Sequence, residues 1–174
     1  MPIIRYCLAS CTAALLFAAP TWAATNTLAA SRAPVHISAD HFRFDQPKGI
    51  GNYSGNVIVT QAKLIIKGAK LTILAPQNGT LKKLTMTGNL AAFQDVTTTG
   101  KAVSGQALRM EYDPAKQQIV LLGKARVEQS GNTFRAARIV YDIRHDLVDA
   151  GAPGQRIEAT FKPASATTGT AHKP

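Results

Sequence analysis

Cysteine, tryptophan and acidic residues are scarce in this sequence of 174 residues, which has two Cys, one Trp and 10 Asp and Glu against 20 Lys and Arg. Cys7, Cys11 and Trp22 all precede Ala24, so the chain from there onward must fold without disulfides. So few carboxylates do not form the clusters that hydrolytic or transfer chemistry needs, and neither a phosphate-binding glycine loop nor a metal-ligand motif is present. The sequence therefore predicts a protein that is not an enzyme and has no cofactor and no metal.

The N-terminus has the pattern of a secretory signal peptide. One positive charge at Arg5 precedes an apolar run from Tyr6 to Ala19, and Pro20-Thr21-Trp22-Ala23 follows with small residues at the two positions that signal cleavage requires. We expect residues 1–23 to be removed on export. Loss of Arg5 leaves 19 positive against 10 negative residues, a net charge of +9.

Two other interpretations of this segment stay open. Leu8-Ala9-Ser10-Cys11 resembles a lipoprotein cleavage box, although the apolar run continues beyond Cys11. The segment could also remain as an uncleaved membrane anchor, although a membrane-spanning helix needs about 20 apolar residues.

The remaining chain divides into three parts. We expect residues 24–33, which are small and polar, to form a flexible leader, and residues 163–174, rich in Ala, Thr and Gly, to form a disordered tail. Residues 34–162 then form one domain, since a sequence that is 45% hydrophobic can bury a single core.

Period-2 alternation recurs through this domain and predicts β-strands. Ile157, Ala159 and Phe161, for example, alternate with charged or polar residues. Strands of this kind separated by turns at intervals of about ten residues are typical of an all-β sandwich, jelly roll or barrel. Turn signals occur at Gln46-Pro47-Lys48-Gly49, Asn78-Gly79, Asp113-Pro114-Ala115-Lys116 and Gly131-Asn132.

An internal repeat appears when the chain is shifted against itself so that Gly55 meets Gly123. In the same register Gln61 meets Gln129. A weaker copy at Gly88-Asn89 lies about midway between Gly55 and Gly123. A unit of roughly 34 residues cannot bury its own apolar face, so stacked units must share an interior. The repeat predicts an elongated sandwich with a long trough between its sheets.

The basic charge does not predict nucleic-acid binding, because the Lys and Arg residues are scattered along the strands and not gathered beside stacking aromatics. We expect a solvated basic exterior. His36 and His41 flank Asp40 but point to opposite faces of a strand, so no metal pair is expected. His145-Asp146, in a turn-like stretch, is also expected to be solvated.

Four segments carry a resemblance to a known family: Pro34 to Asp40, Tyr53 to Gln61, Met110 to Asp113, and Leu121 to Ala125. They resemble the OstA-like domain of lipopolysaccharide-transport proteins, and Gly-Asn-Val-x-Val-x-Gln is the most specific part. The resemblance covers nearly all of residues 34–162. It implies an elongated, slightly open antiparallel β-jelly roll that carries lipopolysaccharide through the periplasm, with the acyl chains between the sheets.

The resemblance also implies lipid-facing residues. Val35 and Ile37 correspond by position to such residues, as do Phe93, which follows a turn predicted at Gly88-Asn89, and Tyr112. Plain core packing is the alternative role for each. Pro114 stands where the family tends to have an aliphatic residue. The full set expected to face the trough is Val35, Ile37, Phe44, Val57, Val59, Phe93, Tyr112, Leu121, Ile139 and Tyr141.

Assembly is the last implication of the resemblance. An open jelly roll has unpaired end strands, which the family uses to stack head to tail. The expected edges are Val35 to Asp40 and Ile157 to Phe161, with Val35, Ile37, Ile157, Ala159 and Phe161 as contact residues. Expected partners are other copies of the chain and the inner-membrane-anchored and outer-membrane members of the pathway. Two alternatives stay open: a structural or glycan-binding secreted β protein, and an inner-membrane-anchored member of the same pathway.

Overall fold

The computed structural model describes residues 33–75, 80–151 and 153–163. The signal peptide, the leader up to residue 32, the turn signal at Asn78-Gly79 and the tail from residue 164 lie outside the described residues. Within those ranges, no segment forms a helix of the length and hydropathy needed to cross a membrane. The strands are β1 (His36–Ser38), β2 (His41–Asp45), β3 (Ile50–Gln61), β4 (Leu64–Leu74), β5 (Lys83–Val96), β6 (Ala102–Asp113), β7 (Gln118–Gln129), β8 (Asn132–Asp142), β9 (Leu147–Ala150) and β10 (Glu158–Thr160).

All strand pairs are antiparallel, and the sheet order follows the chain order from β3 to β8. At one end of the sheet, β1 and β2 pair with different segments of β3. At the other end, β9 and β10 pair in the same way with β8. The sheet does not close, so the predicted all-β, open antiparallel fold is confirmed.

A line of β-bulges crosses every long strand near its middle. The ladder between β3 and β4 shifts around Gly55 and Asn56, and the ladder between β7 and β8 shifts around Gly123 and Lys124. Gly55 and Gly123 have φ values of +79° and +73°, a conformation that L side chains rarely adopt. A bulge bends its strand and increases the local twist. We call this row of bulges the bend line; it comprises residues 55–56, 68–69, 88–90, 107–108, 123–124 and 137.

The bend line divides the sheet into two halves that face each other. One, the β2/β9 half, contains β2, β9 and residues 50–54, 70–74, 83–87, 109–113, 118–122 and 138–142. The other, the β1/β10 half, contains β1, β10 and residues 57–61, 64–67, 92–96, 102–106, 125–129 and 132–136. Rings of the two halves meet between them, where Phe93 stacks on Tyr141 with centroids 5.6 Å apart.

The side of the molecule opposite the bend line is an open seam, because each hairpin turn stays within its own half. Tips 46–49, 113–118 and 142–147 come from the β2/β9 half, and tips 61–64, 96–102 and 129–132 from the β1/β10 half. Backbone pairing joins the halves along the bend line. Along the seam, the halves are joined by contacts between side chains.

The turn predictions have mixed outcomes. The turn at Gln46 to Gly49 is confirmed, since the Gly49 N–H donates to the Gln46 carbonyl at 3.1 Å. At Asp113 to Lys116, the Asp113 carboxylate accepts two backbone N–H bonds, as its turn chemistry predicts. The hairpin expected at Gly131-Asn132 is centred one residue earlier, with positive φ at Ser130 and Gly131. The turn expected at Gly88-Asn89 is wrong, because both residues lie inside β5, at its bulge.

Candidate functional site

The interior between the halves is apolar and filled by its own side chains. At its centre, Val59 and Ile66 of the β1/β10 half meet Leu71, Leu84 and neighbouring residues of the β2/β9 half, and the space between them is too small for a water molecule. At this point along the trough expected from the repeat, side chains from the facing halves therefore occupy the space.

Most of the residues predicted to face the trough do point into this interior. Val35 and Ile37 are half-buried against the core from the end of the β1/β10 half. The buried residues among them come from both halves of the sheet, so a molecule bound between the halves would contact side chains from each. The fully buried members are Val57, Val59, Phe93, Tyr112, Leu121, Ile139 and Tyr141.

Phe44 differs from the other predicted trough residues. It lies opposite Gly51 on the inward face of β2 but is 46% exposed, because β2 ends its half and none of the described residues covers it. Phe42 on the same strand is 58% exposed, and its ring lies 4.4 Å from that of Tyr53. The exposed Phe42 and Phe44 and the half-buried Tyr53 together extend the interior surface at the β1/β2 end of the sandwich.

The opposite end of the sandwich also exposes apolar residues. Ala159 pairs with Phe134, and the rings of Phe134 and Phe161 meet edge to face at 5.9 Å. Ile157 and Phe161 are 54% and 66% exposed. Within the described residues, β1, β2, β9 and β10 each pair with one strand only, so both ends present unpaired backbone edges.

Polar side chains line the inward side of the seam. Gln61 and Gln129 end β3 and β7, and Asp95 is the next to last residue of β5. Asp95 and Gln129 both pair with Val103 of β6. Across from them, Tyr112 and Tyr141 both pair with Ile119 of β7. A polar row of one half therefore faces a row of hydroxyl groups from the other.

Hydrogen bonds across this seam hold the two halves together. The Tyr112 hydroxyl donates to Gln61 Oε1 at 2.6 Å, and Gln61 Nε2 donates to the Ala33 carbonyl at 2.9 Å. Gln129 Nε2 donates to Asp146 Oδ1, which the Tyr141 hydroxyl approaches to 3.5 Å. Asp146, expected to be solvated, is thus half-buried and bonded, because the β8–β9 turn folds over the seam; His145 is exposed as expected.

Asp95 is the exception in the polar row, since one of its oxygens is unsatisfied. Oδ1 accepts the Val96 N–H at 2.8 Å, whereas Oδ2 is buried and has no hydrogen-bond partner among the described residues. Burial, above all, raises the pKa of Asp95, and the charge of Asp146 adds to the effect, while the Val96 N–H and the charge of Lys63 oppose it. Burial and then the charge of Asp95 raise the pKa of both Tyr112 and Tyr141.

The predicted site contained neither the exposed Phe42 nor the polar row. Phe42 shares the period-2 face of Phe44, which was the available signal. For the polar row the signal lay in the repeat: Gln61 and Gln129 occupy equivalent positions of the two copies, and Asp95 lies halfway between them in the sequence. Pro114 is buried in the β6–β7 tip at the seam.

Charged side chains lie on the outer face. Glu111 binds both Lys83 and Arg109 at 2.6 Å, and these contacts, led by the hydrogen bond from Lys83, lower the pKa of its carboxyl group against the effect of burial. Among the described residues, no group of three or more His, Cys, Asp or Glu side chains could hold a metal ion.

Comparison with known proteins gives consistent matches. The family described as LptA/(LptD N-terminal domain) LPS transport protein matches residues 36–146. The lipopolysaccharide export system protein LptH of Pseudomonas aeruginosa is 30% identical over 139 residues, which cover 75% of this chain and 79% of that protein. LptA of Escherichia coli K12 is 30% identical over 132 residues, covering 75% of this chain and 71% of that protein. The crystal structure of P. aeruginosa LptH, described as the LptA homologous periplasmic component of the lipopolysaccharide transport device, superimposes with a TM-score of 0.71 at 28% identity, covering 78% of this chain and 99% of that one.

Proposed function

This chain belongs to the LptA and LptD N-terminal-domain family of lipopolysaccharide transport proteins, and on this basis we propose that it is a periplasmic, non-enzymatic carrier of lipopolysaccharide. In this proposal it assembles head to tail into a bridge that moves the lipid from the inner to the outer membrane. The observation that carries the proposal is the continuous apolar interior, which both halves of the sheet line and which is bounded on one side by a seam without backbone pairing.

The acyl chains of the lipid would lie between the halves, and its sugars and phosphates would remain outside the seam. Burial of acyl methylenes stabilises the complex by about 0.8 kcal/mol each. Because the interior is already filled, the lipid must replace contacts that the side chains make with one another. Net binding is then weaker than the buried area alone would give, which suits a carrier that has to pass its cargo on.

Lipid retention tests this function. Purified protein incubated with lipopolysaccharide should co-migrate with it, and Ile37→Asp and Phe93→Asp should each lower the retained amount, since each places a charge on the inward face. Gln94→Asp is the matched control, because Gln94 is exposed on the same strand as Phe93. If the wild type retains no lipid, or if folded Ile37→Asp and Phe93→Asp variants retain as much as the control, the carrier function is refuted.

Head-to-tail assembly is supported by the two unlike ends of the sandwich. Each end has unpaired strands and exposed apolar side chains: Phe42 and Phe44 at one, Ile157 and Phe161 at the other. Contact between unlike ends is heterologous and can extend indefinitely. The same ends would dock the inner-membrane-anchored and outer-membrane partners that carry related domains.

Truncation tests the assembly. Removal of residues 157–174 deletes β10 and its apolar side chains, so the truncated protein should stay small at concentrations at which the full chain associates. Light scattering over a concentration series measures this. An identical concentration dependence for the two proteins would contradict docking through β10.

A further inference from the structure

The polar row along the seam repeats with the period of the fold. Gln61, Asp95 and Gln129 are evenly spaced along the sequence; Gln61 and Gln129 are the last residues of β3 and β7, and Asp95 is the next to last of β5. Each is therefore two strands from the next, and since neighbouring strands lie about 4.7–4.9 Å apart, the spacing along the sandwich is about 10 Å. Gln61 and Asp95 are more than nine-tenths buried and Gln129 is half-buried, at the boundary between the apolar interior and the outside.

Of these three residues, Asp95 has a buried side-chain oxygen that accepts no hydrogen bond from the described residues. It is 6% exposed, and none of the described residues donates to its Oδ2. A buried acceptor without a partner destabilises a fold, and an ionised one does so more strongly. Gln61 and Gln129, in contrast, have partners across the seam in Tyr112 and Asp146.

The position of Asp95 indicates which group would supply the donor. Asp95 lies two residues beyond Phe93 on the same inward face, where the interior meets the seam. A lipid whose chains lay against Phe93 would place the junction of chain and headgroup beside Asp95. In an acylated amino sugar, this junction carries hydroxyl and amide N–H groups, which are donors.

We propose that the side chains of Gln61, Asp95 and Gln129 form a row of hydrogen-bonding groups, which we call the ladder, for the polar root of the transported lipid, that is, the junction between its acyl chains and its headgroup. At this junction Asp95 Oδ2 accepts a hydrogen bond from a hydroxyl or amide N–H group. This inference rests on the proposed function. The regular spacing lets the root of the lipid exchange one polar partner for the next as it moves along the sandwich. Opening of the seam frees Gln61 and Gln129 for this role by breaking their bonds to Tyr112 and Asp146.

Substitution of Asp95 in the full chain tests the ladder, with lipopolysaccharide binding and urea unfolding measured for each variant. Asp95→Leu should bind lipopolysaccharide about tenfold more weakly or worse, the size expected for a lost hydrogen bond to a charged group. Its urea midpoint should be equal to or above that of the wild type, because the unsatisfied carboxylate is gone. Asp95→Asn keeps a carbonyl acceptor and should fall between the two in affinity. Gln94→Leu, on the outward face, is the matched control.

A second lipid identifies the group that Asp95 contacts. Phosphatidylcholine has neither hydroxyl nor amide donors at the root of its chains, so its binding should be the same for wild type and Asp95→Leu. Any of three results for Asp95→Leu overturns the proposal. These are an affinity for lipopolysaccharide within about twofold of the wild type, an equal loss of affinity for lipopolysaccharide and phosphatidylcholine, and a lower affinity for lipopolysaccharide that accompanies a lower urea midpoint. A wild type that binds no lipopolysaccharide overturns the carrier function and the ladder together, whereas the three results above leave the carrier function standing.

Discussion

The hydrogen bond between Tyr112 and Gln61 joins the two halves across the seam, and its removal should have a measurable cost. Tyr112 is 3% and Gln61 5% exposed, and their side-chain oxygens are 2.6 Å apart. Tyr112→Phe keeps the ring but leaves Gln61 Oε1 buried without a donor. A buried unsatisfied group costs about 1–3 kcal/mol, so the free energy of unfolding should fall by about that amount.

Urea unfolding followed by circular dichroism measures this change, and Tyr141→Phe is the matched control. The Tyr141 hydroxyl is 3.5 Å from Asp146, at the limit of a hydrogen bond, so its loss should cost less than about 1 kcal/mol. A double-mutant cycle with Gln61→Leu should give a coupling energy of about 0.5–3 kcal/mol. Coupling indistinguishable from zero, or equal losses for the two Tyr→Phe variants, would refute the idea that this bond holds the seam.

Three further predictions follow from the same geometry. Phe93→Ala should lower the free energy of unfolding in urea by about 3–5 kcal/mol, the cost of a large cavity, and a loss below about 1 kcal/mol would contradict the filled interior. The pKa of Asp95 is raised above 3.8, so wild type and Asp95→Asn should be equally stable in denaturant below that pH. The stability advantage of the variant should grow as the pH rises to the raised pKa and then stay constant. A stability difference that does not change with pH would contradict the raised pKa. Phe44→Asp should reduce association in light scattering and Leu108→Asp, on the bend line, should not; equal effects would contradict docking through the β1/β2 end.

The alternation of the sequence correctly predicted strands and most inward residues. In an antiparallel sheet with one buried face, side chains alternate between core and solvent, so Val57, Val59 and Leu121 could be assigned from their spacing alone. The turns at Gln46 and Asp113 could be assigned because Pro and Asp have strong local preferences there.

The bulges could not be located in this way. In β4 the buried residues are Leu64 and Ile66 before the bend line but Leu71 and Ile73 after it, so the inward face changes from even to odd positions. A strict period of two would place Lys70 in the core. Gly88 was misassigned to a turn for the same reason, because glycine is favoured both in turns and in bulges, and only pairing with neighbouring strands distinguishes them.

Exposure at the ends and pairing across the seam depend on contacts between residues distant in sequence. Phe44 has the pattern of a core residue and is exposed only because β2 ends its half of the sheet. The spacing of Asp95 from Phe93 places it on the inward face, but a carboxylate is rarely fully buried, so its residue type predicts exposure. Asp95 lies near Tyr112 and Tyr141 because the sheet folds over at the bend line, a consequence of the bulges.

The division of the molecule into a backbone-paired bend line and a side-chain-bonded seam determines where it can open. Opening at the bend line would break continuous backbone ladders, whereas opening at the seam breaks a few bonds such as that between Tyr112 and Gln61, each worth about 0.5–1.5 kcal/mol net. About two buried acyl methylenes compensate for one such bond. In the proposed function, the apolar contacts that side chains lose to incoming acyl chains would be replaced only in part, and the part that is not replaced would lower the net binding. The seam is therefore the side on which the molecule can open while the bend line keeps both halves in register, and the proposed carrier function would use it for entry and exit of the lipid.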